Sequence, residues 1–312
     1  MPTRAAFAAR DPAFLDVTGP DPRLERVVAT DAHEGPVYVA DEDALYFTTV
    51  PRPGPDGPVV DIRRLDLATR SLATVRGDAN AANGMALAPD GRLLVCEQGS
   101  ITRLAGLSLV DRATGAAEML TAAFDGRPLS SPNDVVVARD GGVWFTDPSY
   151  GHLQGFRPPP ALRDAVYRYD PASTEIAVVA DGFDKPNGLA FSPDERTLYV
   201  GDSGAIHAPG DYDPDRPRRV IALDVATGES RPFADGIPGF PDGLKVDGAG
   251  RVYVSCERGV RVFAVDGRLL GEIRVAGGAV NFTFGGPRRD VVLITADDAV
   301  WAAHLQATGP QP

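Results

Sequence analysis

Short runs in which apolar and polar residues alternate dominate this chain, and clusters of Gly, Pro, Asp and Asn separate them. Runs of this kind, rich in Val, Leu, Ile, Tyr and Phe, are typical of β-strands joined by tight turns. No stretch of the sequence shows a sustained helical period of apolar residues. The pattern therefore predicts an all-β protein.

One unit of this pattern recurs along the chain: a polar residue opens a strand, a tight turn follows, and a second strand returns. We call the polar residue that starts each unit its opener, and the openers are Glu34, Asn83, Asn133, Asn187, Asp242 and Asn281. Successive openers lie about 40 to 55 residues apart, which is room for four short strands and their loops. Six such units predict a six-bladed β-propeller, in which radial repetition leaves only short, protected sheet edges.

The two ends of the chain predict how the ring closes. The last unit stops soon after residues 299–304, one strand short, whereas a further run at residues 23–29 precedes the first unit. We expect residues 23–29 to supply the outer strand of the last blade. One domain then spans residues 1–312, with loose tails at 1–13 and 306–312.

Charge and cysteine content narrow the partners and the compartment. The chain has 31 basic and 43 acidic residues, a net charge of -12, which disfavours nucleic acid and anionic membranes as partners. Neither a secretory signal nor a membrane-spanning apolar stretch is visible, so a cytoplasmic location is the default expectation. Cys96 and Cys256 occupy similar phases in units two and five, on opposite sides of a six-fold ring, and should not form a disulfide.

Strand direction predicts where the chemistry lies. Because antiparallel strands alternate in direction, the openers share one edge of the ring with the connections from second to third strands. Those connections are long in units one to four, roughly residues 49–59, 97–106, 147–165 and 202–218. Long loops gathered on one edge are where binding and catalysis tend to be placed. The openers therefore converge on one mouth of the central channel.

The openers all carry side-chain oxygen and none is Cys or His. Carboxylates and amide oxygens suit a hard divalent cation, so Ca²⁺ is the expected ion, with Mg²⁺, Mn²⁺, Zn²⁺ or Fe²⁺ as alternatives. Two other interpretations stay open. Asn-Gly and Asp-Gly are common turn dipeptides, and a ring of polar residues can simply solvate a water-filled channel.

Four motifs at the openers are more specific: Glu34-Gly35-Pro36, Ser131-Pro132-Asn133-Asp134, Lys185-Pro186-Asn187-Gly188 and Phe240-Pro241-Asp242-Gly243. With them the chain, from about residue 30 to 305, resembles the SMP-30/gluconolactonase/luciferin-regenerating-enzyme-like family of six-bladed propellers. The resemblance implies a metal site made of Glu34, Asn133, Asn187 and Asp242. It also implies that Asp242 acts as general base or nucleophile.

The resemblance leaves the substrate open. Animal members that hydrolyse sugar lactones carry an Arg where this chain has Ser131, and the bacterial gluconolactonase-like branch often has His where this chain has Gln98. The residues expected to bind substrate are Asn83, Arg103, Tyr150 and His207. The loop residues among them also have ordinary alternatives, such as a solvated Arg or a weak surface ion pair.

These features together predict a divalent-metal-dependent hydrolase of a small cyclic ester, a lactonase in the broad sense. The cation would polarise the ester carbonyl while Asp242 takes a proton from water or attacks directly. A phosphotriesterase or arylesterase at the same metal is one alternative. A propeller that binds a ligand without catalysis is the other.

Overall fold

The computed structural model describes residues 3–310 and confirms the predicted architecture: six antiparallel sheets are arranged as a six-bladed β-propeller. Consecutive units form consecutive blades. The inner strand of each blade packs against the inner strands of its neighbours around the channel. Blades one to six below follow the order of the openers.

The strands of each blade, from the channel outwards, have the following bounds. Blade one has Val37–Val39, Ala44–Thr48, Ile62–Asp66 and Leu72–Arg76; blade two has Ala82–Leu87, Leu93–Glu97, Gly106–Val110 and Ala117–Thr121; blade three has Val135–Val137, Val143–Asp147, Ala165–Tyr169 and Ile176–Asp181. Blade four has Pro186–Phe191, Thr197–Asp202, Arg219–Asp224 and Ser230–Ala234; blade five has Leu244–Val246, Val252–Cys256, Gly259–Phe263 and Leu269–Arg274; blade six has Asn281–Gly285, Val291–Thr295, Ala299–His304 and Arg23–Ala29.

The ring closes as predicted, because Arg23–Ala29 is the outer strand of blade six. It pairs antiparallel with Ala299–His304, with Arg23 opposite His304. The first and last parts of the chain are thereby joined in one sheet. The closed ring leaves the inner edge of each sheet covered by the neighbouring blades.

The expectation of loose tails is wrong for the described residues at both ends. Phe7–Ala9 pairs with the outer strand of blade five, and the side chain of Phe14 is only 2% exposed. Gly271 makes room for Phe14, because a Cβ there would lie 2.6 Å from the phenyl ring. At the other end, the backbone N–H groups of residues 306 and 307 donate to the carbonyl oxygen of Val17. Residues 1, 2, 311 and 312 lie outside the described residues.

The remaining elements are short. The 3-10 helices are Thr3–Ala6, Pro12–Phe14 and Ala40–Glu42, the α-helices are Leu15–Thr18 and Tyr150–Leu153, and two-stranded hairpins are formed by Arg52–Pro53 with Pro58–Val59 and by Ala123–Phe124 with Arg127–Pro128. No helix within residues 3–310 is long and apolar enough to cross a membrane.

The core lies in the layers where adjacent blades face each other. One such layer packs Tyr46 and Val95 between blades one and two, and another packs Tyr199 and Val254 between blades four and five. Cys96 and Cys256 are buried and unbridged, as predicted. The second strands of the blades are almost completely buried, so the residues at their ends are held firmly at the mouth of the channel.

Candidate active site

The openers form a continuous ring because glycines let neighbouring blades touch. In four blades the residue after the opener is a glycine where a Cβ would lie closer than 3.0 Å to the next opener, a distance that real Cβ atoms essentially never show. The pairs are Gly35 with Asn83, Gly84 with Asn133, Gly188 with Asp242 and Gly243 with Asn281. The Asn-Gly and Asp-Gly dipeptides therefore have a packing role beyond their turn preference.

Hydroxyl groups on the second strands fix the same ring. The Thr48 hydroxyl donates to the carbonyl oxygen of Asn83 at 3.2 Å, and the Thr146 hydroxyl donates to that of Asn187 at 2.9 Å. Each bond crosses from one blade to the opener of the next. The openers are thus held by their backbones, which leaves their side chains free to face the channel.

Three carboxyl groups at the ends of second strands hold the segments that lead into the openers. Asp147 accepts the backbone N–H groups of Ser130 and Ser131 at 2.9 and 2.7 Å, and Asp202 accepts those of residues 184 and 185 at 3.0 Å. Glu97 takes the corresponding place in blade two, where its carboxyl group accepts a hydrogen bond from Nδ2 of Asn80 at 2.6 Å. Sequence reasoning missed this role, although an acidic residue at the end of the second strand in three units was a visible signal.

The four predicted metal ligands lie on this ring. Glu34, Asn133 and Asn187 are buried, and Asp242 is partly exposed. The carboxyl group of Asp242 lies beside both Glu34 and Asn187. Burial raises the pKa of Asp242 well above its usual value and the negative charge of Glu34 adds to this, whereas the hydrogen bond from Asn187 opposes it.

Residues of neighbouring blades complete the surroundings of these side chains. The Nδ2 group of Asn281 donates to Oε2 of Glu34 at 2.8 Å. The side-chain oxygens of Asn83 and Asn133 are buried, and no group in the described part of the chain donates to either. A buried amide oxygen without a donor is costly unless a bound group satisfies it.

These observations fit a hard divalent cation. Two adjacent carboxyl groups in a buried site repel each other when both are ionised, and a cation between them removes that penalty. The unpaired oxygen of Asn133 is a further neutral ligand of the type that such cations accept. No group of three or more His, Cys, Asp or Glu side chains within residues 3–310 is arranged to hold a metal, and the four predicted ligands include only two carboxyl groups.

The structure brings two of the four predicted substrate-binding residues to the ring. The phenol of Tyr150 is buried beside Asn187 and Asp242, and its Oη lies 3.5 Å from the Ser203 carbonyl oxygen. Asn83 lies on the ring between blades one and three, and its side-chain oxygen has no donor.

The other two predicted residues lie on the loops and are paired there. The guanidinium of Arg103 binds Asp78 at 2.9 Å, with 37% of the side chain exposed. The imidazole of His207 contacts Asp184 at 3.1 Å. Neither side chain makes a described contact with the four predicted ligands.

His33 is a neighbour of the site that sequence reasoning did not single out. Its Nδ1 lies 2.7 Å from Oδ1 of Asp297, and it precedes Glu34 directly. Burial lowers the pKa of His33, but the hydrogen bond to Asp297 and the negative charge of Glu34 outweigh it, so that the pKa is raised. Its pairing with a residue of blade six depends on ring closure, which no local sequence signal shows.

The fold and this ring define the class of protein: a six-bladed propeller with carboxyl and amide side chains around one mouth of its channel. The model of the SMP-30/Gluconolactonase/LRE-like region matches residues 32–298, and the chain belongs to this family. The match covers every opener, which confirms the resemblance stated from the motifs.

Named relatives are similar over most of their length. A gluconolactonase of Zymomonas mobilis is 30% identical over an alignment of 286 positions that covers 86% of this chain and 76% of the relative. The lactonohydrolase oryL of Aspergillus oryzae is 29% identical over 88% of this chain and 68% of its own length. The solved structure of a gluconolactonase from Xanthomonas campestris is 30% identical and has a TM-score of 0.82, with 96% of this chain and 94% of that one covered.

Proposed function

We propose that the protein is a divalent-metal-dependent hydrolase of cyclic esters, a lactonase, whose substrate is a small-molecule lactone. The observation that carries the proposal is the arrangement of Asp242 with Glu34 and Asn187 at the mouth of the channel, beside the phenol of Tyr150. The names of the gluconolactonase and lactonohydrolase relatives agree with this reaction class.

Glu34, Asn133, Asn187 and Asp242 would hold the cation, with Ca²⁺ as the expected ion. When bound, the cation supplies electrophilic polarisation of the ester carbonyl and stabilises negative charge on its oxygen. The carboxyl group of Asp242 is the general base or nucleophile, since it is the one group of the four that is partly exposed at the mouth. Asn187 lies beside this carboxyl group and favours its ionised form.

Two other residues would contact the substrate itself. The hydroxyl of Tyr150 lies beside the Asn187 side chain and makes a long 3.5 Å contact with the Ser203 carbonyl oxygen, so it can donate to a substrate oxygen without breaking a short hydrogen bond. The unpaired side-chain oxygen of Asn83 can accept a substrate hydroxyl or N–H group. Both groups are polar and buried, which gives the site a means of orienting a polar lactone.

The test combines metal analysis with one isosteric substitution. Elemental analysis and calorimetric titration with Ca²⁺, Mg²⁺, Mn²⁺, Zn²⁺ and Fe²⁺ should find about one site per chain, as expected for two carboxylates and two amides. Asp242→Asn keeps an oxygen ligand and removes the charge, so we expect measurable metal binding and a fall in kcat of about 100-fold or more on the best lactone of a panel. Asp211→Asn, on an exposed loop carboxylate, is the matched control and should be unchanged.

Each outcome has a distinct meaning. Near wild-type hydrolysis by Asp242→Asn with metal bound would remove Asp242 from catalysis. A wild-type protein that binds metal and hydrolyses phosphotriesters or aryl esters but no lactone would overturn the substrate class. Metal binding without any turnover would favour a ligand-binding propeller.

A further inference from the structure

Arg157 is a buried arginine whose hydrogen bonds all go to backbone carbonyl oxygens. Arg157 is only 8% exposed and lies on the long loop between the second and third strands of blade three. Nη1 donates to the carbonyls of Ser100 and Arg103, both at 2.8 Å. Nε donates to the carbonyl oxygen of Ser130 at 3.0 Å, and Nη2 donates to the carbonyl oxygen of Leu129 at 3.1 Å.

These four carbonyls belong to two separate segments of the mouth. Ser100 and Arg103 lie on the blade two loop that carries a predicted substrate-binding residue. Leu129 and Ser130 lie on the segment that leads into the predicted ligand Asn133. One guanidinium thus connects the loops of blades two and three.

The same arginine is attached to the helix that carries Tyr150. The backbone N–H of Arg157 donates to the carbonyl of Gly151 at 3.0 Å, and the N–H of Gly151 donates to the hydroxyl of Ser131 at 2.9 Å. The contact is close, since a Cβ on Gly151 would meet the Arg157 side chain well within 3.0 Å. A displacement of Arg157 would therefore be transmitted to the position of Tyr150.

The arrangement does not suit direct substrate binding. Four of the five N–H donors of the guanidinium already have carbonyl acceptors. No carboxylate within the described part of the chain lies at ion-pairing distance from the guanidinium; burial lowers its pKa, and the charge of Asp147 only partly opposes this. A buried guanidinium group with such hydrogen bonds is suited to holding loops in place, because each lost donor would leave a buried carbonyl oxygen unpaired.

We propose that Arg157 is a positioning residue that sets the shape of the substrate mouth by holding the blade two loop, the Leu129–Ser130 segment and the Tyr150 helix in one arrangement. The effect on catalysis rests on the proposed function; the effect on loop order does not. Arg157 acts through Tyr150 and the blade two loop and leaves the four predicted metal ligands in place. Its loss should therefore weaken substrate binding more than it slows the chemical step.

The experiment uses the full chain with Arg157→Met, Arg157→Lys and, as the matched control, Arg163→Met on the same loop, whose side chain is 90% exposed. In both Arg157 variants we expect faster amide hydrogen exchange at residues 99–105 and 129–131. We also expect KM for the best lactone to rise about tenfold, with kcat within about threefold of wild type and metal affinity unchanged. Lysine keeps the charge but cannot reach four carbonyls, so it should not rescue KM.

The possible results separate the alternatives. Unchanged exchange and unchanged KM in Arg157→Met overturn the proposal, and so does full rescue by lysine, which would mean that only the charge matters. If Arg157→Met does not fold, Arg157→Lys decides; if neither folds, Arg157 is a general folding residue and the local role is wrong. If the wild-type protein hydrolyses no lactone, the proposed function fails while hydrogen exchange still tests the loop arrangement.

Discussion

Asn281 donates its side-chain N–H to Oε2 of Glu34 at 2.8 Å, and this bond joins the opener of the last blade to the opener of the first. The backbone N–H of Phe282 donates in turn to the side-chain oxygen of Asn281 at 2.8 Å, which fixes the amide orientation. Glu34 is therefore presented to the ring by a residue 247 positions away in the chain. Ring closure and the proposed metal site depend on each other at this point.

Asn281→Ala should weaken metal binding without abolishing it. The substitution leaves all four predicted ligands but removes the donor that orients Glu34, and loss of such an outer partner typically costs about 10 to 100-fold in metal affinity. Calorimetric titration with Ca²⁺ measures the change. The control is Asn80→Ala, which removes the amide that donates to the Glu97 carboxyl group in blade two. Its Ca²⁺ affinity should stay within about threefold of that of the wild type. Equal affinities in Asn281→Ala and wild type would contradict the orienting role.

Gly188→Ala should disrupt the ring. The new methyl group would overlap the carbonyl oxygen of Asp242, so the two blades must separate, at a cost of about 2 kcal/mol or more in the free energy of unfolding. Gly77→Ala is the matched control, because the nearest atom to a Cβ there is 3.9 Å away and no positive φ is involved. Urea unfolding of both variants gives the comparison. A Gly188→Ala variant as stable as Gly77→Ala would show that the openers are not in tight contact.

Arg103→Ala should raise KM for the lactone and leave metal affinity unchanged. The guanidinium lies on the loop beside the mouth but is bound to Asp78 at 2.9 Å, so its reach towards substrate depends on leaving that partner. Asp78→Ala separates the two roles, since it frees the guanidinium. Steady-state kinetics should show a higher KM only in Arg103→Ala; an equal rise in both variants would mean that the ion pair merely supports the loop.

Asp147 should make the protein less stable as the pH rises towards neutrality. Burial raises the pKa of Asp147 from 3.8 to about 7, although the N–H groups of Ser130 and Ser131 oppose the shift. The folded state then binds the proton more tightly than the unfolded state. The stabilisation is complete below about pH 4 and is lost as the pH rises through about 7.

Asp147→Asn removes this titration. Between pH 5 and pH 8 the free energy of unfolding of the wild type should fall as Asp147 loses its proton. The free energy of unfolding of Asp147→Asn should fall by at least about 1 kcal/mol less over the same range, and urea unfolding measures both. The variant should also be less stable at every pH, because the amide has one acceptor oxygen for two donors. Parallel curves for the two proteins would show that Asp147 is already ionised at pH 5.

The repeat was enough to predict the ring of openers. An opener such as Asn187 is followed by a glycine and by a strand of alternating apolar and polar residues. This local pattern recurs often enough to predict the number of blades, the order of the strands and the edge at which the side chains of the openers converge. Tyr150 was predicted from its position on a long loop at this edge, and the structure places its phenol beside Asn187 and Asp242. Local periodicity carries this information because each blade is a local unit.

The contacts between distant segments could not be predicted in the same way. Arg103 and His207 were chosen for their loop positions, but the sequence does not show that Asp78 and Asp184 pair with them. The packing of Phe7–Ala9 on blade five was missed because its partner strand lies more than 250 residues away. Such pairings depend on how loops and the N-terminal segment pack in three dimensions, and they leave no periodic signal.

The outer strand of blade six has a consequence for how the protein is made. Arg23–Ala29 is synthesised before blade one, yet its partner Ala299–His304 is synthesised only after blade five. During translation this strand must wait with unpaired N–H and C=O groups while almost all of the ring emerges, a state prone to wrong pairing. The propeller therefore completes its fold only after synthesis of the last blade, and in refolding the pairing of these two distant strands should be a slow step.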